Sequence, residues 1–204
     1  MAEETRHDDR KNEHDHHEEG GEHDHDHGQR DHDHHVHDAE EISAGVVTVS
    51  SSRGSGEDPS GDAIIEILED HGIELTHREL IPDEFDKVQQ TVDNLTDRDD
   101  VTLIVTTGGT GVTPDDVTVE AVEPLLSKTL PGFGELFRRL SYEEVDTHVV
   151  ATRAIAGIAD GVPVFCLPGS ENAVRLGTRE IIVEEASHLV GLAARDLDAD
   201  ENEG

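Results

Sequence analysis

From Ile42 to Ser50 the chain reads ISAGVVTVS, a β-branched, uncharged run between polar flanks that predicts a buried strand. After the loop SSRGSGEDPSG, the spacing of Ala63, Ile64, Ile67 and Leu68 puts four apolar side chains on one helical face, and Gly72 is suited to close that helix. The alternation then repeats, with a strand over 73–80, a helix over 83–97 and a strand over 101–107. Two further helices are predicted over 115–126 and 132–145, joined by SKTLPG as a linker. AIAGIAD and VPVFCLPG read as two strands of a hairpin with a short glycine-containing turn, and a final helix, continuous or broken, covers 171–196. Strands alternating with helices predict an α/β fold with a mostly parallel sheet and crossover helices on its faces. Ligands in such sheets sit at the carboxyl ends of the strands.

No such pattern precedes Ile42. Residues 1–40 hold 11 of the 15 histidines, alternating with Asp and Glu in EHDHDHG and DHDHHVHD. A segment this poor in apolar side chains cannot offset the entropy of ordering and is expected to be a disordered tail. The expected organisation is that tail, a domain over 41–196 and an acidic C-terminal tail over 197–204. The histidines are either divalent-metal ligands, since neutral imidazole suits zinc, nickel, cobalt and copper, or a solvated polyampholyte.

Charge changes the picture next. The net charge is -34, and residues 41–204 alone carry 34 acids against 11 bases. Nucleic acid and anionic membrane surfaces reward basic patches, so neither is an expected partner. With only three lysines and few aromatics, the composition resembles that of proteins adapted to a very salty cytoplasm, where a Debye length of about 3 Å at 1 M salt makes such self-repulsion tolerable. Cys166 is the one cysteine, which excludes an internal disulfide, and it lies in an apolar run as a small buried hydrophobe. The chain offers no apolar signal core and no membrane-length apolar run, so a cytoplasmic address is expected.

Candidate chemistry gathers where the run 101–105 enters TTGGTGVTPDDVT, Thr106 to Thr118. Glycines admit positive φ and let backbone N–H groups approach an oxyanion, and a helix start adds a favourable dipole; a plain glycine turn has the same look. Asp115 and Asp116 are either helix N-caps or magnesium ligands, and Asp83, after ELIP, is either an N-cap or a site residue on the same sheet edge. CLPGS offers Gly169 and Ser170 as donors or as an ordinary turn. Phe133, Leu136, Phe137 and Leu140 at helical spacing read as core or subunit interface. Arg53 and Arg138 are anion partners or solvated charges.

The ordered set TVSSSRGSGEDPSG, LIVTTGGTG, DDVT, LPGFGELFRRLSYEEV and AIAGIADGVPVFCLPGS resembles the MoaB/Mog family of molybdenum cofactor biosynthesis proteins, also found as the G domain of gephyrin-type fusions. The resemblance runs from about Ile42 to Arg195. It implies a three-layer α/β/α sandwich, mostly parallel with a C-terminal β-hairpin, that binds molybdopterin and forms trimers or hexamers. It further implies Mg²⁺-dependent adenylylation of molybdopterin by ATP, with release of pyrophosphate and a downstream molybdenum-insertion protein as partner. The two family aspartates that matter most map onto Asp83 in IPDE and Asp116 in DVT. PGFGELFRRLSYEEV looks like the MoaB branch, whose bacterial members of uncertain activity do not keep the PDE and DVT pattern; this chain keeps both. On this basis Asp83 and Asp116 are the expected catalytic pair, with Asp116 also the magnesium contact. Ser50, Gly108, Gly109, Thr110, Gly111, Thr118, Pro168, Gly169 and Ser170 are the expected ligand contacts, joined by Glu135, Arg138 and Ser141 toward the pterin.

Overall fold

The computed structural model describes residues 38–39, 41–50 and 57–201. The predicted histidine-rich tail, apart from residues 38 and 39, lies outside the described residues, as do Arg53 and the end of the acidic tail. Strand β1 (Ser43–Val49) is followed by helix α1 (Pro59–Asp70), β2 (Glu74–Ile81), α2 (Phe85–Thr96) and β3 (Leu103–Thr107). Then come α3 (Thr118–Val122), β4 (Lys128–Thr129), α4 (Pro131–Val145), β5 (Ile155–Ala159), β6 (Val162–Leu167), α5 (Glu171–Gly177) and α6 (Val183–Glu201).

The six strands form one sheet in the order β2-β1-β3-β6-β5-β4. β2, β1, β3 and β6 run parallel, while β5 is antiparallel to both β6 and β4. Period-two alternation divides the strand residues between two cores. Ala44, Val46, Leu103, Val105, Phe165 and Leu167 face α1, α4, α5 and α6. Val47, Val49, Ile104, Val164 and Cys166 face α2 and α3. The result is the expected three-layer sandwich. Burial pushes the Cys166 thiol up to about 12, which leaves it protonated and unreactive.

Local sequence explains most element ends. Asp58 caps α1 by accepting the Gly61 N–H at 2.9 Å, and Pro59 starts the first turn. The same helix stops where Gly72, at φ 78, lets Gly72 N–H reach Glu69 O and Ile73 N–H reach Leu68 O, the two bonds of a Schellman motif. The β5–β6 turn is Asp160-Gly161 with both φ positive, the two-residue geometry that matches strand twist.

Three expectations are corrected. The predicted linker contains β4, whose two exposed residues pair Lys128 with Ile158 and are too short to show alternation. The helix predicted from Asp115 begins at Thr118 and is one short turn, continued by a 3₁₀ turn over Glu123–Leu125. The last predicted helix takes the broken form, with a π turn at Thr178–Ile182, but extends past its predicted end at residue 196 to Glu201.

This topology creates the site. From β1 the chain moves to β2 on one side and returns to β3 on the other, so the connections diverge between β1 and β3. Crevices at such switch points, outside the carboxyl ends of parallel strands, receive ligands.

Candidate functional site

Four parallel strands end together at this edge, with Val49 opposite Ile81, Thr48 opposite Thr107, and Thr107 opposite Leu167. Immediately after β3, Gly108 and Gly109 take φ values of 97 and 65. A Cβ at Gly108 would run into the Val49 carbonyl oxygen, and one at Gly109 into Thr118 Oγ1 and the Asp83 carboxylate. The loop therefore requires glycine for both conformation and space.

Asp83 follows β2 through Pro82. Glu84, not Asp83, occupies the N-cap position of α2, and it makes no side-chain cap bond. Freed from capping, Asp83 reaches across the sheet edge, where its Oδ1 accepts the Val117 N–H at a long 3.4 Å. Burial raises the Asp83 carboxyl above its ordinary range; the Val117 N–H opposes this, and the charges of Asp116 and Asp115 reinforce it.

Asp116 behaves oppositely. Its Oδ2 accepts the Thr113 N–H at 2.8 Å and the Thr113 hydroxyl at 2.6 Å. Burial would raise this carboxyl, but those two bonds, the Gly111 N–H and the Arg153 charge together hold it below the ordinary range. The N-cap of α3 is Val117, so neither Asp115 nor Asp116 caps that helix. Two carboxyls pushed in opposite directions beside a glycine loop form the kind of pair found where chemistry is done.

Around them opens a cleft of about 510 Å³ lined by Val49, Ser50, Asp83, Gly108–Gly111, Asp116, His148, Ala151, Thr152, Pro168 and Gly169. Nine predicted positions thus meet: Ser50, Asp83, Gly108, Gly109, Thr110, Gly111, Asp116, Pro168 and Gly169. Thr118 does not line the cleft. It is fully buried, with its hydroxyl donating to Gly108 O at 2.8 Å and its N–H to Gly109 O at 2.9 Å, so it is a strut beneath the loop. Glu135 and Arg138 line a separate depression of about 560 Å³, walled by Leu126, Leu130 and Ile155 and holding neither aspartate. They lie in the first half of α4, against Ala154 and Ala156, whereas Ser141 is further along the helix. Ser141 and Ser170 line a cavity of about 150 Å³ that shares His148, Thr152 and Pro168 with the cleft. Ser170 is also the N-cap of α5, accepting the Ala173 N–H at 3.3 Å. Phe133 and Phe137 belong to the core, Phe133 meeting Phe165 edge-on at 5.1 Å, while Leu136 is exposed.

Sequence reasoning missed His148, Ala151, Thr152 and Arg153. Three of them come from the 3₁₀ segment Asp146–Ala151 and its immediate continuation, which carries no periodic signal. Arg153 donates from Nε to Gly111 O at 2.6 Å and from a terminal nitrogen to Asp116 O at 3.2 Å, and it pairs with Glu120.

Fold and site define a three-layer α/β protein whose candidate cleft lies at the switch point of its sheet. The chain belongs to the family described as "Probable molybdopterin binding domain", whose model matches residues 45–188. It is 40% identical over 167 residues to the molybdenum cofactor biosynthesis protein B of Staphylococcus epidermidis, covering 80% of this chain and 95% of that protein. The Pyrococcus furiosus tungsten cofactor synthesizing protein MoaB superposes with a TM-score of 0.70 at 42% identity, over 76% of this chain and 98% of that one. The Mog protein of Mycobacterium ulcerans superposes with a TM-score of 0.69 at 30% identity, over 76% and 97%. The chain is thus a member of a molybdenum cofactor biosynthesis family. Among the described residues no helix is long and apolar enough to cross a membrane.

Proposed function

We propose that this protein adenylylates molybdopterin. The terminal phosphate of molybdopterin attacks the α-phosphorus of ATP, a new P–O bond forms, the bond to the β-phosphate bridge breaks, and pyrophosphate leaves. The observation that carries this reading is the pair Asp83 and Asp116 flanking the Gly108–Gly111 loop in one cleft. A phosphate monoester, with a second pKa of about 6, is already largely ionised near neutrality, so the reaction needs no strong base. What remains is positioning and charge neutralisation.

The donor set fits a magnesium ion. Both carboxylates supply hard oxygen, and the Asp83 carboxyl is raised by burial first and by the charges of Asp116 and Asp115 after it, a penalty on its ionised form that a cation would relieve. Among the described residues no group of three or more His, Cys, Asp or Glu could hold a metal alone, which suits an ion completed by substrate phosphates. Held by Asp116 with Asp83 beside it, magnesium would neutralise polyphosphate charge. The Gly109 and Thr110 amides would cradle the phosphate, with Ser50 beside it, because the Gly108 N–H is taken by Leu167 O at 3.0 Å and the Gly111 N–H by the Asp116 carboxylate. The adjoining cavity suits the pterin ring, because it holds the Ser141 and Thr152 hydroxyls, both buried without a partner and able to bond a heterocycle edge. Exposed Leu136, Tyr142, Val145 and Val150 favour self-association, as a trimer or hexamer. The same reading puts the enzyme in the cytoplasm, handing its product to a molybdenum-insertion protein.

The test is incubation of the full chain in high salt with molybdopterin and Mg-ATP. Wild type is expected to yield adenylyl-molybdopterin and pyrophosphate, and Asp116→Ala to lose at least about 100-fold in rate. Binding of molybdopterin by wild type without product would sink the catalytic reading and leave a binding protein.

A further inference from the structure

The glycine loop presents an unusual account of its carbonyl groups. Gly108 O takes the Thr118 hydroxyl and Gly109 O the Thr118 N–H. Thr110 O takes the Arg153 N–H at 3.2 Å, and Gly111 O takes Arg153 Nε at 2.6 Å. Four consecutive carbonyls are therefore bonded on the protein side. The peptide bonds of the loop are trans, so each following N–H, from Gly109 to Val112, points opposite to its carbonyl, and that of Gly111 meets the Asp116 carboxylate. An anion entering the cleft meets the Gly109 and Thr110 amides without a competing row of carbonyl oxygens.

One guanidinium does more than close the row. A terminal nitrogen of Arg153 also holds Asp116 O at 3.2 Å, and the other pairs with Glu120. The planar fork alone spans these three acceptors; a lysine ammonium concentrates its donors on one atom. Arg153 itself does not line the cleft, and Glu120 offsets its charge. Its influence on a ligand thus passes through the loop.

We propose that Arg153 is a positioning residue: by holding the carbonyls of Gly111 and Asp116 with its guanidinium, beside the Thr110 carbonyl held by its main-chain N–H, it aims the loop amides into the cleft and fixes Asp116 beside them. Only the activity arm of its test rests on the adenylyl-transfer reading. In high salt, the amide NMR resonances of Gly109 to Val112 are followed while inorganic pyrophosphate is added to wild type, Arg153→Lys and Arg153→Gln. Wild-type amides are expected to shift on titration; both variants, folded by circular dichroism, are expected to lose those shifts and bind pyrophosphate about tenfold more weakly. In turnover the loss is expected to fall on kcat, on the order of 100-fold, with KM for ATP moving far less. Wild-type amides that do not respond, or variants whose shifts and affinity stay within about twofold of wild type, would overturn the assignment. Unfolding of both variants in high salt would assign Arg153 to the scaffold instead. A wild type that binds pyrophosphate through these amides yet makes no adenylylated pterin would remove the proposed activity and leave the positioning role standing.

Discussion

Asp83 and Asp116 are the same residue type in one cleft, yet their surroundings push them apart. Asp83 has a carboxyl raised by burial, so its ionised form costs stability above its folded-state pKa and that cost disappears as pH falls through it. Asp83→Asn is accordingly expected to leave the melting temperature near pH 7 unchanged or higher, while turnover drops on the order of 100-fold. Asp116 has the opposite sign: burial is outweighed by the Thr113 bonds, so it adds stability above about pH 4 that is lost as pH falls through its depressed folded-state value. Asp116→Asn is expected to lower the melting temperature near pH 7 by about 2–4 °C, for a loss near 1 kcal/mol, with the deficit closing in acid. Thermal unfolding of both variants across pH checks the pair, and equal responses would refute the contrast. Both aspartates were legible through the family resemblance carried by IPDE and DVT, while on their own residues each read equally as a helix cap. Arg153 was not legible, since the carbonyls it holds in the site lie 37 and 42 residues away and leave no local trace.

At the scale of elements, what the sequence conveyed depended on how strongly each element is patterned. β1, β3 and β6 are buried on both faces and were readable as continuous apolar runs, and the Asp160-Gly161 turn was readable from its residues. β4 and α3, at two and five residues, are too short to repeat the period of a strand or a helix and are held by tertiary contacts. Glycines allow a direct test of which edge of the sheet matters. Gly108 and Gly161 both have positive φ, but Gly108 touches the Val49 carbonyl at the carboxyl edge, while Gly161 sits in the β5–β6 turn, before β6 begins. Gly161→Ala is expected to cost about 1 kcal/mol, or 2–4 °C, and to leave activity intact. Gly108→Ala meets the same backbone strain plus a backbone clash, and is expected to cost at least about 2 kcal/mol and abolish ligand binding. Melting curves with pyrophosphate titrations on the two variants separate the outcomes; comparable binding losses would mean that the loop conformation is not specific to the site.

For the whole molecule, charge sets the terms. At -34 the protein presents a repulsive long-range field to ATP and molybdopterin, both anions, and many of its bases are already engaged. Arg78 pairs with Asp58 and Asp62, Arg98 with Asp100, Arg153 with Glu120, and Arg175 with Glu66 and Glu171. On the proposed reading, attraction at the cleft would come from short-range amides and a bound cation, which added salt screens little, while the repulsion it does screen acts over tens of ångströms in dilute buffer. Most binding sites for polyphosphates weaken as salt rises; here the sign is expected to reverse. ATP affinity, measured by isothermal titration from dilute buffer to about 1 M potassium chloride, is expected to rise and then level off as the Debye length shrinks to about 3 Å. Circular dichroism at each salt concentration distinguishes this from recovery of a fold lost to self-repulsion. Steady weakening of ATP binding by a protein that stays folded throughout would mean that a local cationic field dominates the cleft, and the short-range account of its affinity would have to be abandoned.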